Sequence, residues 1–285
     1  MVYRFEYYPT RSVDEALTLL AQHPGSEVVA GCTNTIVDAR ATRKIPKAVI
    51  DINRLSDLRY ARRDNGTIRL GARTTLTDCF ALPFLVKEAP VLKLMAAEFA
   101  GTLIRNRATL AGNIAYASPA ADVAPPLLAL SATITLVSKA RGPRTLPLSE
   151  FIVGPRKTAL AEDEIISEVA FPAANGEVKS SYFKFALRNA MAISLVSGAV
   201  VLRMEGNKIR EAGLALGAVA PKPYRVAQAE GMLKDQIPTD ALIREVAKVV
   251  AASTSPISDI RASAEYRREI TEVMTRRIVE RALSS

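Results

Sequence analysis

The 285-residue sequence predicts an α+β fold. Segments with strand-like and helix-like patterns follow one another without strict alternation, and the last third of the chain is typical of a strand meander followed by helices. A change of pattern near residue 57 and a short linker at residues 173–176 divide the chain into three parts. Apolar residues make up 49% of the sequence, which is enough to build a substantial core.

The first part reads as alternating strands and helices. Ser12 and Glu15 have the spacing of a capping box, and the helix that they begin would turn Ala16, Leu17 and Leu20 inward. A buried strand at residues 27–30 ends in a turn of Gly, Cys, Thr and Asn, followed by a helix at 36–43 and a strand at 48–51.

The middle part begins with a turn at Asn65-Gly66 and a strand at residues 67–70. Helical segments interrupted by Pro83 and Pro90 extend to residue 101, and a loop follows at 105–126. Two further strands are predicted at 131–138 and 164–169.

The last part contains two long strands, at residues 182–187 and 193–204, and a hairpin turn at 205–207 that leads into a strand at 208–219. Helices are predicted at 239–252 and 264–283. Ile270, Met274 and Ile278 would lie on one face of the second helix.

The composition argues against several classes of protein. The chain has two cysteines and one histidine, whereas structural zinc and iron–sulfur centres each need about four such ligands, so we expect no metal site. The motifs GxGxxG, GxxxxGK, GxSxG and HExxH are absent. The net charge is +9, but acidic residues interrupt the basic ones, so we expect no nucleic-acid binding. Without a membrane span or signal-peptide pattern, a cytoplasmic location is expected.

Two segments of small, polar, glycine-bearing sequence stand out, at residues 30–35 and 109–122. Such loops expose backbone N–H groups that can approach a phosphate closely. Each segment alone is more simply a tight turn or a helix cap. If the two converged, they would form a cradle for a pyrophosphate, with Asp122 placed to accept hydrogen bonds from ligand hydroxyls.

These segments also carry a family resemblance. Residues 30–34, Ala-Gly-Cys-Thr-Asn, resemble a turn that usually reads Ala-Gly-Gly-Thr-Asp, and residues 109–122 resemble the pattern Thr-Ile-Gly-Gly-Asn-Ile-x-x-Ala-Ser-Pro-x-x-Asp. The family is the FAD-binding medium subunit of molybdenum hydroxylases, which includes the flavin domain of xanthine dehydrogenase. The resemblance spans essentially the whole chain. Cys32 and Ala111 stand where glycine is common in the family, so altered contacts are expected there.

The resemblance implies the architecture and the site. An N-terminal α/β unit (1–57) and a middle α+β domain (58–174) would hold FAD between them, followed by a C-terminal antiparallel sheet covered by helices (177–285). Asp122 would hold ribose or ribityl hydroxyls, Phe99 and Ile166 would lie against the flavin, and Lys184 would lie near its edge. The remaining cofactor-binding residues would be Val29, Ala30, Gly31, Cys32, Thr33, Asn34, Thr35, Ile36, Ala108, Thr109, Gly112, Asn113, Tyr116 and Ser118.

On its pattern alone, Phe99 is more simply a core residue, and Lys184 is as well explained by an outward-facing strand position. The resemblance implies no catalytic residue and no metal ligand in this chain. Electrons would come from iron–sulfur clusters on a small partner subunit, and substrate would be oxidised at a molybdenum–pterin centre on a large one. The assembly would be a dimer of heterotrimers. Two alternatives stay open: a self-contained flavin oxidase, and a nucleotide-binding scaffold without flavin.

Overall fold

The computed structural model describes residues 5–41 and 45–284 and has an α+β architecture built on three main sheets. The first is a small parallel sheet in the order β1-β3-β2. Its strands are β1 (Glu6–Pro9), β2 (Glu27–Val29) and β3 (Ala48–Asp51), and its helices are α1 (Val13–Gln22) and α2 (Thr35–Arg40). The predicted end of α2 at residue 43 lies outside the described residues.

Helix α1 begins as the sequence predicts, but its cap differs from a capping box. The side chain of Ser12 accepts a hydrogen bond from Glu15 N at 3.0 Å. The Glu15 carboxylate accepts from Arg11 N rather than from Ser12 N, so the reciprocal bond of a capping box is not made. Ala16, Leu17 and Leu20 are buried in the core of this unit, as predicted.

The middle part is built on a five-stranded antiparallel sheet in the order β4-β5-β10-β6-β7. The strands are β4 (Ala61–Asp64), β5 (Thr67–Gly71), β6 (Thr133–Ser138), β7 (Gly142–Pro147) and β10 (Glu164–Pro172), with a separate hairpin of β8 (Ile152–Gly154) and β9 (Lys157–Thr158). A 3-10 turn at Ser56–Leu58 leads into this part. Its helices are α3 (Leu76–Ala81), α4 (Pro83–Glu88), α5 (Pro90–Glu98), α6 (Thr102–Arg105), α7 (Leu110–Ala115), α8 (Ala124–Ala129) and α9 (Leu148–Phe151).

The predicted loop at residues 105–126 is wrong, because this stretch contains α7 and the start of α8. The side chain of Thr109 caps α7 by accepting a hydrogen bond from Gly112 N at 3.0 Å. Pro125 and Pro126 lie in the first turn of α8, where proline is tolerated because those N–H groups have no partner within the helix. The same rule explains α4 and α5, which begin at Pro83 and Pro90.

The third sheet is an antiparallel meander in the order β11-β12-β13-β14. Its strands are β11 (Glu177–Phe185), β12 (Val196–Glu205), β13 (Lys208–Gly217) and β14 (Tyr224–Arg225). Gly206 and Asn207 form the predicted hairpin turn. Strand β11 begins five residues earlier than predicted, and β12 begins at Val196 rather than at Ile193.

Helices α10 (Ala227–Leu233), α11 (Asp240–Ala252) and α12 (Ala264–Leu283) cover this sheet. Ile278 is buried, and Ile270 and Met274 pack against the same core, so the predicted face of α12 is confirmed. Each of the three sheets lies within one of the three predicted segments, and the exact boundaries stay predictions.

Two findings concern the described residues as a whole. None of the helices is both long and apolar enough to cross a membrane. Across residues 5–41 and 45–284, no cluster of three or more His, Cys, Asp or Glu side chains has the arrangement of a metal site.

Candidate functional site

A cavity of about 740 Å³ lies where the N-terminal unit meets the middle domain. Ligand pockets in proteins typically enclose about 300–1,000 Å³, so the size suits a large cofactor. Most of the residues predicted to bind the cofactor line it: Val29, Ala30, Gly31, Cys32, Thr33, Asn34, Thr35, Phe99, Ala108, Thr109, Gly112, Asn113 and Tyr116. The structure thus brings the two glycine-bearing segments together.

The first segment is the turn between β2 and α2. Asn53 stabilises the start of this turn, because its Nδ2 donates to the Ala30 carbonyl and to Asp51 Oδ1. This contact directs the Ala30 carbonyl toward Asn53. The turn leads directly into α2, where Ile36 N donates to Cys32 O at 3.2 Å and Asp38 N donates to Asn34 O at 2.8 Å.

Gly31 and Cys32 have different roles in shaping this turn. A Cβ added at Gly31 would overlap the carbonyl oxygen of Arg107 and lie 2.6 Å from its carbonyl carbon, so the backbones approach too closely for a side chain. Cys32 has φ +58°, a conformation that glycine adopts more readily. Burial raises the pKa of the Cys32 thiol above its ordinary value, with a further contribution from Asp51, and the thiol therefore stays protonated at neutral pH.

The second segment is the start of α7. Leu110 N donates to Thr74 O at 3.0 Å, which ties the segment to the connection between β5 and α3. Asn113 lines the cavity, and its Oδ1 is buried without a hydrogen-bond partner. Buried polar atoms are nearly always paired, so Asn113 Oδ1 is an exception among the residues next to the cavity.

Another part of the cavity lining joins α2, the end of α7 and the turn between β8 and β9, which the sequence analysis does not connect. The Tyr116 hydroxyl donates to the Asp38 carboxylate, at 3.0 and 3.2 Å from its two oxygens, and Arg156 Nη2 donates to Asp38 Oδ2 at 3.0 Å. The Arg156 guanidinium carbon also lies 3.5 Å from the centre of the Tyr116 ring. Burial, and then the bond to Asp38, raise the pKa of Tyr116, so its hydroxyl stays protonated.

Sequence reasoning missed Asp38 and Arg156. Asp38 is the fourth residue of a short helix, and Arg156 lies in the turn between β8 and β9. The only available signal was the turn-like sequence Gly154-Pro155-Arg156, which predicts a hairpin but not its position beside the cavity.

Other predicted residues do not line the cavity: Ile36, Ser118, Asp122, Ile166 and Lys184. Ile166 is buried in the core of the middle domain. Ser118 Oγ accepts a hydrogen bond from Ala120 N within its own loop. The cofactor roles of all five stay predictions.

Asp122 and Lys184 instead face each other. Asp122 Oδ2 accepts from Lys184 Nζ at 2.6 Å, and Asp122 Oδ1 accepts from Tyr182 Oη at 3.1 Å and Ser194 Oγ at 2.6 Å. Both carboxylate oxygens therefore have protein donors, whereas the sequence reading had Asp122 accept from ligand hydroxyls. The cluster joins the loop before α8 to β11 of the C-terminal sheet.

The residues around the cavity fit a dinucleotide such as FAD. Both glycine-bearing segments line it, Gly31 lets the first of them pack directly against the Arg107 backbone, and Thr109 caps the start of α7 in the second. Backbone amides at turns and helix starts suit phosphate oxygens, since they offer donors without the desolvation cost of a buried cation.

Comparison with known proteins gives a consistent result. Residues 3–174 match the family described as the FAD binding domain in molybdopterin dehydrogenase, and residues 181–282 match the CO dehydrogenase flavoprotein C-terminal domain. The xanthine dehydrogenase FAD-binding subunit of Escherichia coli O157:H7 is 31% identical over 281 residues, covering 98% of this chain and 96% of the relative. The glyceraldehyde dehydrogenase medium chain of Sulfolobus acidocaldarius is 30% identical and covers 95% of each chain.

The fold is shared along its whole length with a solved structure, that of carbon monoxide dehydrogenase from Hydrogenophaga pseudoflava lacking the Mo-pyranopterin moiety of the molybdenum cofactor. The TM-score is 0.95 at 30% identity, covering 100% of this chain and 99% of the other. The chain therefore belongs to the family of FAD-binding medium subunits of molybdenum-containing dehydrogenases.

Proposed function

We propose that this chain is the electron-exit subunit of its complex. The residues that line the cavity would hold FAD, which would supply electron transfer from iron–sulfur clusters on a small partner subunit to an external acceptor. The substrate would be oxidised at a molybdenum–pterin centre on a large partner subunit. The observation that carries the proposal is the convergence of both glycine-bearing segments on one cavity. We expect the complex to be a dimer of heterotrimers.

The flavin, when bound, supplies the exchange of electrons between one-electron and two-electron partners, whereas the protein supplies position and electrostatics. The turn between β2 and α2 offers amide donors, and Thr109 fixes the opposing helix start through Gly112 N. Phe99 and Ile104 are apolar residues in the lining of the same cavity and would suit contact with a ring system.

The range of relatives supports a role that is separate from substrate choice. Relatives named for xanthine and glyceraldehyde, and a structure of a carbon monoxide dehydrogenase, share 30–31% identity with this chain over nearly its full length. A subunit that handled the substrate directly would be expected to resemble one of them more than the others.

We place the iron–sulfur partner at an apolar surface beside the cavity. Leu103 is 82% exposed, Ile104 is 38% exposed, and Met191 is 67% exposed. Met191 lies close to this surface, because a Cβ added at Gly101 would lie 4.0 Å from the Met191 Sδ. Exposed apolar patches mark interaction surfaces, and a partner docked here would bring its redox centre close to the cavity.

The test is electron transfer in the assembled complex with and without FAD. The complex is purified, its FAD is removed and restored, and the reduction of an artificial acceptor is followed after chemical reduction of the iron–sulfur centres. We expect acceptor reduction to be lost with FAD and to return when FAD is restored. Acceptor reduction at an unchanged rate in the FAD-free complex would contradict the proposal.

A further inference from the structure

The charged side chains that line the cavity are unevenly balanced. Among the described residues in its lining, Glu27, Asp38, Glu162 and Glu164 are acidic, and Arg156 is the one basic residue. Glu164 is paired with Arg144, whose Nε lies 2.6 Å from its Oε1. A dinucleotide adds the negative charges of its diphosphate to this set, so the position of the single cation matters for binding.

The structure holds Arg156 in place through three separate contacts. Its backbone has φ +58°, and its N–H donates to Ala117 O at 2.8 Å. Its guanidinium stacks on Tyr116 and donates to Asp38 through Nη2. These contacts order the arginine side chain before any ligand binds, so binding does not bear the entropic cost of ordering it.

The guanidinium is nevertheless accessible. The Arg156 side chain is 45% exposed, whereas that of Asp38 is 9% exposed. The planar group has five N–H donors in a fork that matches phosphate oxygens, and Nη2 uses one of them on Asp38. The arrangement is that of a preorganised cation in the lining of the cavity.

We propose that Arg156 binds the diphosphate of the dinucleotide cofactor, with Asp38 and Tyr116 as positioning residues that orient its guanidinium. This inference rests on the proposed binding of FAD and adds a residue that neither glycine-bearing segment contains. Arg156 acts on the phosphates and not on the flavin ring, so the affinity for ADP depends on it as strongly as the affinity for FAD does.

The test measures the affinity of the full-length, FAD-free chain for three ligands: FAD, ADP and riboflavin. Hydrogen bonds to charged groups are strong, so Arg156→Gln is expected to lower the affinity for FAD and for ADP about 10- to 100-fold. Riboflavin, which lacks phosphate, is expected to bind Arg156→Gln and wild-type protein equally. The difference in ADP affinity between wild type and Arg156→Gln should become smaller as salt is added, since salt screens a partly exposed ionic contact.

Two further variants serve as controls. Lys157→Gln removes the neighbouring positive charge, which is exposed and outside the cavity, and is expected to leave the affinity for all three ligands unchanged. Arg156→Lys keeps the charge without the planar guanidinium. Its affinity for ADP is expected to lie between those of wild type and Arg156→Gln. It also provides the comparison if Arg156→Gln does not fold.

An equal loss of riboflavin and ADP affinity in the Arg156 variants would show that the residue only supports the cavity wall and would overturn the inference. Unchanged ADP affinity would overturn it as well. If wild-type protein binds neither FAD nor ADP, the proposed function fails too, whereas wild-type binding with an unaffected variant contradicts this inference alone.

Discussion

Asp122 and Lys184 form a buried ion pair, with Lys184 Nζ 2.6 Å from Asp122 Oδ2 and side chains that are 8% (Lys184) and 10% (Asp122) exposed. The pair joins the loop before α8 to the C-terminal sheet. Because Tyr182 and Ser194 also donate to Asp122, the carboxylate would keep two donors without the lysine, but the lysine would lose its ion-pair partner without the carboxylate.

We therefore predict unequal costs for removing the two partners. Asp122→Ala leaves a buried ammonium unpaired and should lower the free energy of unfolding by about 3–5 kcal/mol. Lys184→Met should lower the free energy of unfolding by less than Asp122→Ala does. The double variant should lower it by less than the sum of the two single changes. Urea denaturation of the FAD-free proteins measures all three, and equal costs for the single variants would contradict this account.

A second prediction concerns Gly31. Gly31→Ala places a Cβ against the Arg107 backbone, which cannot move as easily as a side chain. We expect a loss of about 1–3 kcal/mol in stability, as for overpacking elsewhere, and a clear loss of FAD affinity. Gly231→Ala is the matched control, since its Cβ would meet no atom within 4 Å, and it should leave FAD affinity unchanged. Normal FAD binding by Gly31→Ala would contradict the proposed role of the turn.

A third prediction concerns the reactivity of Cys32. Only the thiolate is alkylated, and burial raises the pKa of this thiol, so iodoacetamide should react slowly at neutral pH and faster as the pH rises. Because Cys32 lines the cavity, bound FAD should slow the reaction further. Cys79 is fully buried and serves as an internal control. Mass spectrometry of the modified peptides reads out both sites, and rapid labelling of Cys32 at neutral pH would contradict the prediction.

A fourth prediction concerns acid stability. Hydrogen bonds from Arg144 lower the pKa of Glu164 to about 2, whereas the pKa of an unfolded glutamate is ~4.3. A lowered pKa stabilises the folded state above the unfolded value, and this stability is lost as the pH falls toward about 2. The stability gap between wild type and Glu164→Gln should therefore be constant above pH ~5 and shrink below it. Thermal unfolding across this range measures the gap, and a gap independent of pH would be inconsistent with the ion pair as its cause.

A fifth prediction tests the proposed docking surface. Leu103→Glu adds a charge to an exposed apolar residue beside the cavity, so it should weaken association with the small partner subunit. FAD content should not change, since Leu103 does not line the cavity. Ile237→Glu, at a residue that is 49% exposed in the C-terminal part, is the control. Co-purification of the subunits is the measurement, and full assembly of Leu103→Glu would argue against this surface.

Much of the fold could be predicted because local chemistry determines it. Helices α4 and α5 begin at Pro83 and Pro90, where the sequence predicts interruptions of helical segments. Gly206 and Asn207 mark a hairpin, and Ile278 marks the buried face of the last helix. The stretch at residues 105–126 was misjudged because its helices are short and depend on the Thr109 cap and on packing, which periodicity over so few residues does not reveal.

In the candidate site, too, some residues could be predicted from the sequence and others could not. The two glycine-bearing segments could be identified because both need small residues and exposed amides at fixed spacing. Arg156 and Asp38 could not, since they meet only through tertiary contacts between α2, α7 and the β8–β9 turn. Asp122 was recognised as important, but its partners Lys184 and Ser194 lie far along the chain, and no sequence pattern shows that they occupy both of its oxygens.

We expect FAD to bind to this chain in the cavity between its first two parts. The most direct measurement is the FAD stoichiometry of the purified chain, by visible spectrum and by mass of the released cofactor, for wild type and Gly31→Ala in parallel. We predict one FAD per wild-type chain and a marked loss in the variant. A wild-type chain that is colourless and cannot be reconstituted with FAD, alone or with its partner subunits, would contradict the account.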